Sequence, residues 1–219
     1  MKTIVVIPAR AGSKRLPQKN IKLLAGIPLI AHSILYAQEN KKYIDDVFVS
    51  TDDKEIKKIA LQYGAKVIDR PKKISGDFEP TVSAIQHTLE VSNMKYIENI
   101  ITLQATNPLR PKNLLKEALN IYKSENHSSL FTVSQNQKKL GHIKNDNFTP
   151  YNYKIGQRSQ DIKPLFFENG LLYISKKNLI LQGIIFDKNA YPFIVEEKKI
   201  IDIDTQEDLN YAEYLIQYE

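Results

Sequence analysis

The residues best suited to chemistry fall into separate groups along the chain. The first is Pro8-Ala9-Arg10-Ala11-Gly12-Ser13-Lys14-Arg15, running on to Lys19-Asn20. Gly12 lets the backbone come close to a ligand, and successive N–H groups there can form an anion nest. Arg10, Lys14, Arg15 and Lys19 add positive charge, and a triphosphate needs both features. The glycine and lysine spacing is not that of a Walker A loop. A solvated basic loop after a strand is the competing reading. The second group is Ile201-Asp202-Ile203-Asp204. In a strand both carboxylates would face one side. Such a pair suits Mg²⁺ (or Mn²⁺), with ligands shared with substrate phosphates. Alternatively, Asp204 is only turn or cap chemistry before the last helix.

Two further groups are less specific. Leu103-Gln104-Ala105-Thr106-Asn107-Pro108-Leu109-Arg110 crowds polar groups into a turn, which is also what an ordinary strand-to-helix connection does. Arg158-Ser159-Gln160-Asp161 offers a guanidinium fit for a planar carboxylate. It is followed by Phe167-Glu168-Asn169-Gly170, where Asn169 before Gly170 also suits a plain turn.

These residues must be positioned by the elements around them. Strands are expected at Thr3–Pro8, Asp46–Ser50, Lys66–Ile68, Asn99–Leu103, Ser129–Ser134, Gly170–Ser175 and Ile200–Asp204. Helices are expected at Pro28 to about Asn40, Asp53–Tyr63 ended by Gly64, Pro80 to about Val91, and Pro111 to about Ser124. Thr205 with Asp208 predicts a capping box for a final helix. The alternation of strand and helix implies an α/β fold, a mostly parallel sheet covered on both faces. Ligands of such sheets lie beyond the carboxyl ends of the strands. The basic loop, the Ser50–Asp53 segment and the Gln104 turn all follow strands, so they can meet there. Residues 135–166 are polar and poor in helical periodicity. They read as an extension of loops or hairpins within a single domain, 1–219.

Composition narrows the classes. Hydrophobic residues make up 42% and charged residues 26%, as in globular proteins. No apolar run is long enough for a bilayer, and the N-terminus does not read as a signal peptide. With no cysteine, disulfides, thiolate metal sites and cysteine nucleophiles are excluded, and the cytoplasm is the expected compartment. The net charge of +6 raises nucleic acid as a partner. Acids and lysines are mixed along most of the chain, however, and no aromatic stripe accompanies them, so no specific nucleic-acid or membrane partner is expected.

The order of the motifs carries more than any one of them. Ile7 to Lys14 with Lys19-Asn20-Ile21, Val49-Ser50-Thr51-Asp52, Arg70-Pro71 with Asp77 and Thr81, Leu103-Gln104 with Pro108-Leu109-Arg110, Arg158-Ser159-Gln160-Asp161, Asn169-Gly170 and Asp202-Ile203-Asp204-Thr205 together resemble the CMP-sialic acid synthetase (acylneuraminate cytidylyltransferase) family. The resemblance covers nearly the whole chain and is weakest at 135–157. It implies a Rossmann-like fold of the nucleotide-diphospho-sugar transferase type. The implied reaction joins CTP to the anomeric hydroxyl of a nonulosonic acid and releases pyrophosphate. By resemblance, Arg10, Gly12, Ser13 and Lys14 hold the triphosphate, and Lys19 and Asn20 lie beside it. Pro8 and Ala9 read cytosine with Thr81, and Arg70 orders that pocket. Gln104, Arg158, Gln160 and Asn169 face the sugar, and Asp202 and Asp204 hold the metal. Arg10, Lys14, Asp202 and Asp204 are the implied catalytic residues. A homodimer built through 135–166 is also implied. The sequence departs from the pattern at Ala11 and Arg15, where glycine is common in relatives. It departs again at Phe167, where some sialic acid enzymes carry a sugar-binding arginine. Alternatives are a CTP-binding homologue without turnover, or an enzyme for another α-keto acid sugar such as Kdo.

Overall fold

A computed structural model describes residues 2–196 and 200–218. The chain runs β1 (Lys2–Pro8), β2 (Leu23–Leu24), β3 (Ile27–Pro28), α1 (Leu29–Glu39), β4 (Asp46–Thr51), α2 (Lys54–Gln62), β5 (Lys66–Asp69), α3 (Thr81–Val91), β6 (Ile97–Thr102) and α4 (Leu114–Ser124). It continues through β7 (Ser129–Asn136), β8 (Gly141–Lys144), β9 (Asn147–Pro150), β10 (Leu165–Lys176), α5 (Lys177–Leu181), β11 (Tyr191–Ile194) and α6 (Gln206–Gln217).

The main sheet has the order β11-β7-β10-β6-β1-β4-β5. Only β10 runs against the rest: it pairs antiparallel with both β6 and β7, and the other pairings are parallel. β1 lies in the interior of the sheet, between β6 and β4, because its side chains can be buried on both faces. Val5 and Ile7 pack into one core with Ile30, Ile34, Ile56, Leu115 and Ala118 from α1, α2 and α4. Ile4 and Val6 enter a second core with Val82 and Ile85 of α3 and Ile180 of α5. A run buried on both sides is what a continuous β-branched strand predicts.

Between β4 and β6, which flank β1, the chain passes from one side of β1 to the other. A crevice therefore opens beyond Pro8, as expected of such sheets. A third core holds Leu16, Leu24, Leu29, Ile201, Ile203, Leu209 and Ala212. It ties the basic loop and α6 to the segment that carries Asp202 and Asp204.

The helix limits agree closely with the sequence reading. Asp53 caps α2 through its side chain, Gly64 follows the helix with φ +81°, and Thr205 with Asp208 forms the capping box of α6. The Ile200–Asp204 strand is a correction. Ile201 and Ile203 are buried, but the segment joins no sheet. Its backbone bonds go to a turn: Ile203 N donates to Thr106 O at 2.8 Å. β10 starts earlier than expected because residues 165–168 pair with 133–136 of β7. Within 135–166, β8 and β9 form an isolated hairpin.

Candidate active site

The loop after β1 is pinned on both sides. Ala9 N donates to Ser50 O at 3.0 Å, and Ala11 N donates to Asp52 Oδ1 at 2.9 Å. The buried Asn20 side chain donates to Arg10 O at 3.1 Å, so it braces the loop from within. A Cβ at Gly12 would make only ordinary contacts, 3.6 Å to Arg10 Nη1 and 3.9 Å to Asp77 Oδ1. The protein's own packing therefore does not demand glycine there, which leaves close ligand approach as its physical use.

The loop's cations are held by two carboxylates. Asp77 takes Arg10 Nη1 and Lys14 Nζ, each at 2.5 Å. Asp204 takes Arg15 Nη2 at 2.5 Å and Lys19 Nζ at 2.8 Å. Hydrogen bonds from Lys14 and then Arg10 hold the Asp77 carboxyl below its usual value. These residues line a cleft of about 480 Å³ together with Pro8, Ala9, Gly12, Ser13, Asn20, Thr81 and Gln104. The fully exposed Phe78 stands at the same cleft.

Arg70 is buried under this wall. It donates from Nε to Ser50 Oγ at 3.1 Å and from Nη2 to Ser50 O at 2.5 Å. Burial lowers its pKa, an effect the nearby Asp52 partly offsets. Arg70 thus holds the end of β4, the strand end that pins Ala9.

A second cavity of about 360 Å³ adjoins the first. It is lined by Gln104, Phe167, Glu168, Asn169, Gly170, Tyr173, Ile200 and Asp202. Gln104 faces both cavities, while Asp204 lines the first and Asp202 the second. Desolvation raises the Asp202 pKa. The carboxylates of Asp204 and Asp208 raise it further, against the opposing effects of Thr106 and Lys19.

The Gln104 turn is clamped from beneath. Arg110 is buried and donates to Gln104 O at 2.6 Å, Leu171 O at 2.7 Å and Ser33 Oγ at 2.9 Å. Burial brings its pKa down to about 10. Asn107 Nδ2 donates to Asn169 O at 3.1 Å and to Ile201 O at 3.2 Å. One side chain thereby joins the turn to both flanking segments. Gly170, at φ +74°, leaves room for this: a Cβ there would stand 2.8 Å from Asn107 Oδ1. Asn169 lines the cavity, but its side chain is engaged internally. Oδ1 accepts from Thr132 at 2.5 Å, and Nδ2 donates to Ser134 at 2.9 Å.

The fold thus brings together Pro8 to Lys14, Lys19, Asn20, Thr81, Gln104, Asn169, Asp202 and Asp204, with Arg70 in support. It does not bring Arg158 or Gln160 to either cavity. Arg158 pairs with Asp161 at 2.7 Å on an exposed turn, and Gln160 is exposed beside it. The sequence reading gave no role to Asp77, Asn107, Arg110, Glu168 or Tyr173. All but Tyr173 lay inside quoted motifs, and only their partners reveal what they do.

A cation-lined cleft beyond the central strand, a second cavity sharing one glutamine with it and an acidic pair at the junction define a nucleotide-using transferase. The chain belongs to the cytidylyltransferase family: the model for the family described as Cytidylyltransferase matches residues 4–219. The chain is 34% identical to the pseudaminic acid cytidylyltransferase of Campylobacter jejuni over 98% of this chain and 96% of that one. It is 33% identical to the N-acylneuraminate cytidylyltransferase of Streptococcus agalactiae over 95% of this chain and 52% of that longer one. A solved CMP:2-keto-3-deoxy-manno-octonic acid synthetase complexed with CTP shares the fold, with TM-score 0.74 at 18% identity, covering 100% of this chain and 99% of the other.

Proposed function

We propose that the protein joins CTP to a nonulosonic, sialic-acid-like sugar, giving the CMP-sugar and pyrophosphate. One observation carries this reading: the cationic cleft and the second cavity meet at Gln104, with Asp204 on one side and Asp202 on the other. The triphosphate lies in the first cavity and the sugar in the second. The sugar's anomeric hydroxyl gives up its proton to solvent as its oxygen forms a bond to the α-phosphorus, while the bond from that phosphorus to the pyrophosphate oxygen breaks. Arg10, Ser13 and Lys14 hold the phosphates, and Lys14 donates to the leaving pyrophosphate. Phosphoryl transfer asks mainly for such positioning and charge stabilisation. For Arg10 and Lys14 to act this way, phosphate oxygens replace the Asp77 carboxylate.

Asp202 and Asp204 would hold Mg²⁺ (or Mn²⁺). The donor set fits: two carboxylates two residues apart at the junction, one with a pKa raised partly by the other. Among the described residues no group of three acidic or imidazole ligands exists, so the remaining ligands would come from phosphate and water, as Mg²⁺ prefers. When bound, the ion supplies charge neutralisation at the phosphates. Asp204 would exchange its bonds with Arg15 and Lys19 in doing so.

The protein is further proposed to act in the cytoplasm as a homodimer. No helix among the described residues is long and apolar enough to cross a membrane. The test of the reaction is pyrophosphate release with CTP and Mg²⁺ against N-acetylneuraminic, legionaminic-type, pseudaminic-type and Kdo substrates, each beside a no-sugar control. Release with a nonulosonic acid is expected. Release with Kdo alone, or with none of the panel despite measured CTP binding, would overturn the reading.

A further inference from the structure

Arg10 and Lys14 extend from the loop after β1, yet both end on one carboxylate, which lies 67 residues beyond Arg10 in the chain. Asp77 holds the pair much as a phosphate would, with Oδ1 on the guanidinium and Oδ2 on the ammonium. Both cations keep further N–H donors, but a phosphate oxygen that arrives there meets a carboxylate of its own sign. Asp77 and a phosphate therefore compete for the same two cations.

The carboxylate sits on a short segment anchored at both ends. At its start Ser75 donates from Oγ to Pro71 O and from N to Lys72 O, each at 3.0 Å. At its end Pro80 leads into α3. Between them Glu79 N donates to Gly76 O at 3.3 Å, and Phe78 is 100% exposed at the cleft. The Asp77 ion pairs tie this segment to the basic loop. Pairs of this kind are cheap to open, and the Lys14 side chain is 83% exposed.

We infer that Asp77 is an internal competitor of the nucleotide's phosphates: a latch that ties the 76–80 segment to Arg10 and Lys14, yields both to the triphosphate, and takes them back as pyrophosphate leaves. This rests on the reading of the cleft as the triphosphate site and adds a regulation to it. Affinity for CTP is held below what the loop alone would give, because part of the binding opens the latch. The same competition speeds the release of pyrophosphate.

The test is binding of CTP and of inorganic tripolyphosphate to the full chain by calorimetry. Asp77→Asn is expected to tighten both by about three- to tenfold, the scale of two exposed ion pairs, and to lower the inhibition constant of pyrophosphate by a similar factor. Asp77→Glu keeps the charge and is expected to stay within about twofold of wild type. Glu55→Gln removes a carboxylate that lines a small pocket beside Arg10 and Ala11. It too is expected to stay within about twofold, which separates the latch from a general change of charge. Unchanged or weaker binding in Asp77→Asn, while Lys14→Ala still weakens CTP, would overturn the inference and leave the cleft as the phosphate site. Equal tightening in Glu55→Gln would overturn it as well. CTP binding that Lys14→Ala does not weaken would overturn both readings. Phe78→Trp gives a chain without tryptophan a single reporter on the segment. Its quenching by acrylamide is expected to change when tripolyphosphate opens the latch, and no change at saturating tripolyphosphate would sink the inference whatever the Asp77 variants do.

Discussion

Asp204 sits where three demands meet. It pairs with Arg15 and Lys19, it borders the cationic cleft, and its backbone N–H donates to Asp208 at 3.0 Å. Asp204→Asn keeps the shape and removes the charge. The expected result is a fall in kcat of about 10²–10³-fold, the scale seen when a group that stabilises transition-state charge is lost. The melting curve should fall only modestly: the exposed Arg15–Asp204 pair contributes little, and the more buried Lys19 keeps an oxygen acceptor in the asparagine amide. Near-normal pyrophosphate release would remove Asp204 from the metal and from catalysis.

Asp202 invites the opposite experiment. Its folded pKa is raised, so the native state binds more protons than the unfolded chain between the ordinary value of 3.8 and the folded value. The ionised form therefore costs stability above the folded pKa, and that cost disappears as pH falls through it. Asp202→Asn is expected to raise Tm at neutral pH, with the gain shrinking as pH falls through the raised folded pKa and gone below 3.8, while turnover collapses. A lower Tm at neutral pH would show that the carboxylate supports the fold. If Asp202 holds the ion, raising Mg²⁺ should also move the acid limb of kcat to lower pH, since metal and proton compete for the same oxygens.

Among the elements, the Gln104 turn does the joining. Arg110 reaches two carbonyls and a hydroxyl from a fully buried position, with the Tyr36 ring 5.6 Å from its guanidinium carbon. Arg110→Met keeps the bulk but leaves Gln104 O and Leu171 O without this donor. Gln104 O still accepts from Ser33 Oγ and Asn107 N, so the loss falls on Leu171 O, where an orphaned carbonyl costs about 1–3 kcal/mol. At roughly 2–4 °C per kcal/mol for a chain of this size, Tm should drop by about 2–12 °C. The sugar KM should rise with it, because Gln104 loses its anchor. A variant that melts like wild type would contradict the clamp.

Such a clamp was only partly legible in the sequence. The strands of the main sheet other than β11, the helices other than α5, and the capping box followed from apolar period and cap chemistry. So did the convergence of the first loop with the Ser50 and Gln104 segments. The alternation in Ile201-Asp202-Ile203-Asp204 correctly gave burial but wrongly gave a strand. Periodicity reports which side chains are covered and says nothing about where the backbone bonds go. Here they go to Thr106 and Asn107. β11 was missed as well: Tyr191-Pro192-Phe193-Ile194 contains a proline, which an edge strand tolerates and a central one does not. The pairings Arg10–Asp77 and Arg15–Asp204 span 67 and 189 residues, and nothing local announces them.

At the scale of the whole molecule, the hairpin of β8 and β9 stands apart. It forms its own two-stranded sheet, and such a hairpin is marginal alone in water. Ile143 is 77% exposed, Ile155 87%, Tyr151 64% and Phe148 52%, all within 135–166. Large exposed apolar patches are where partners dock, and under the proposed homodimer a second copy of the chain would cover these residues. The exposed Arg158–Asp161 pair belongs to the same segment and is cheap to open, so dimerisation offers one route by which Arg158 reaches a sugar cavity. Light scattering is expected to give twice the chain mass across working concentrations. A double change, Ile143→Lys with Ile155→Lys, should shift that mass to the monomer, because lysines in a covered interface of about 1,000 Å² or more cannot keep their water. If Arg158 acts across the dimer, the same variant loses affinity for the sugar and keeps its affinity for CTP. A native monomer at every concentration would leave the hairpin without a partner and Arg158 without that route.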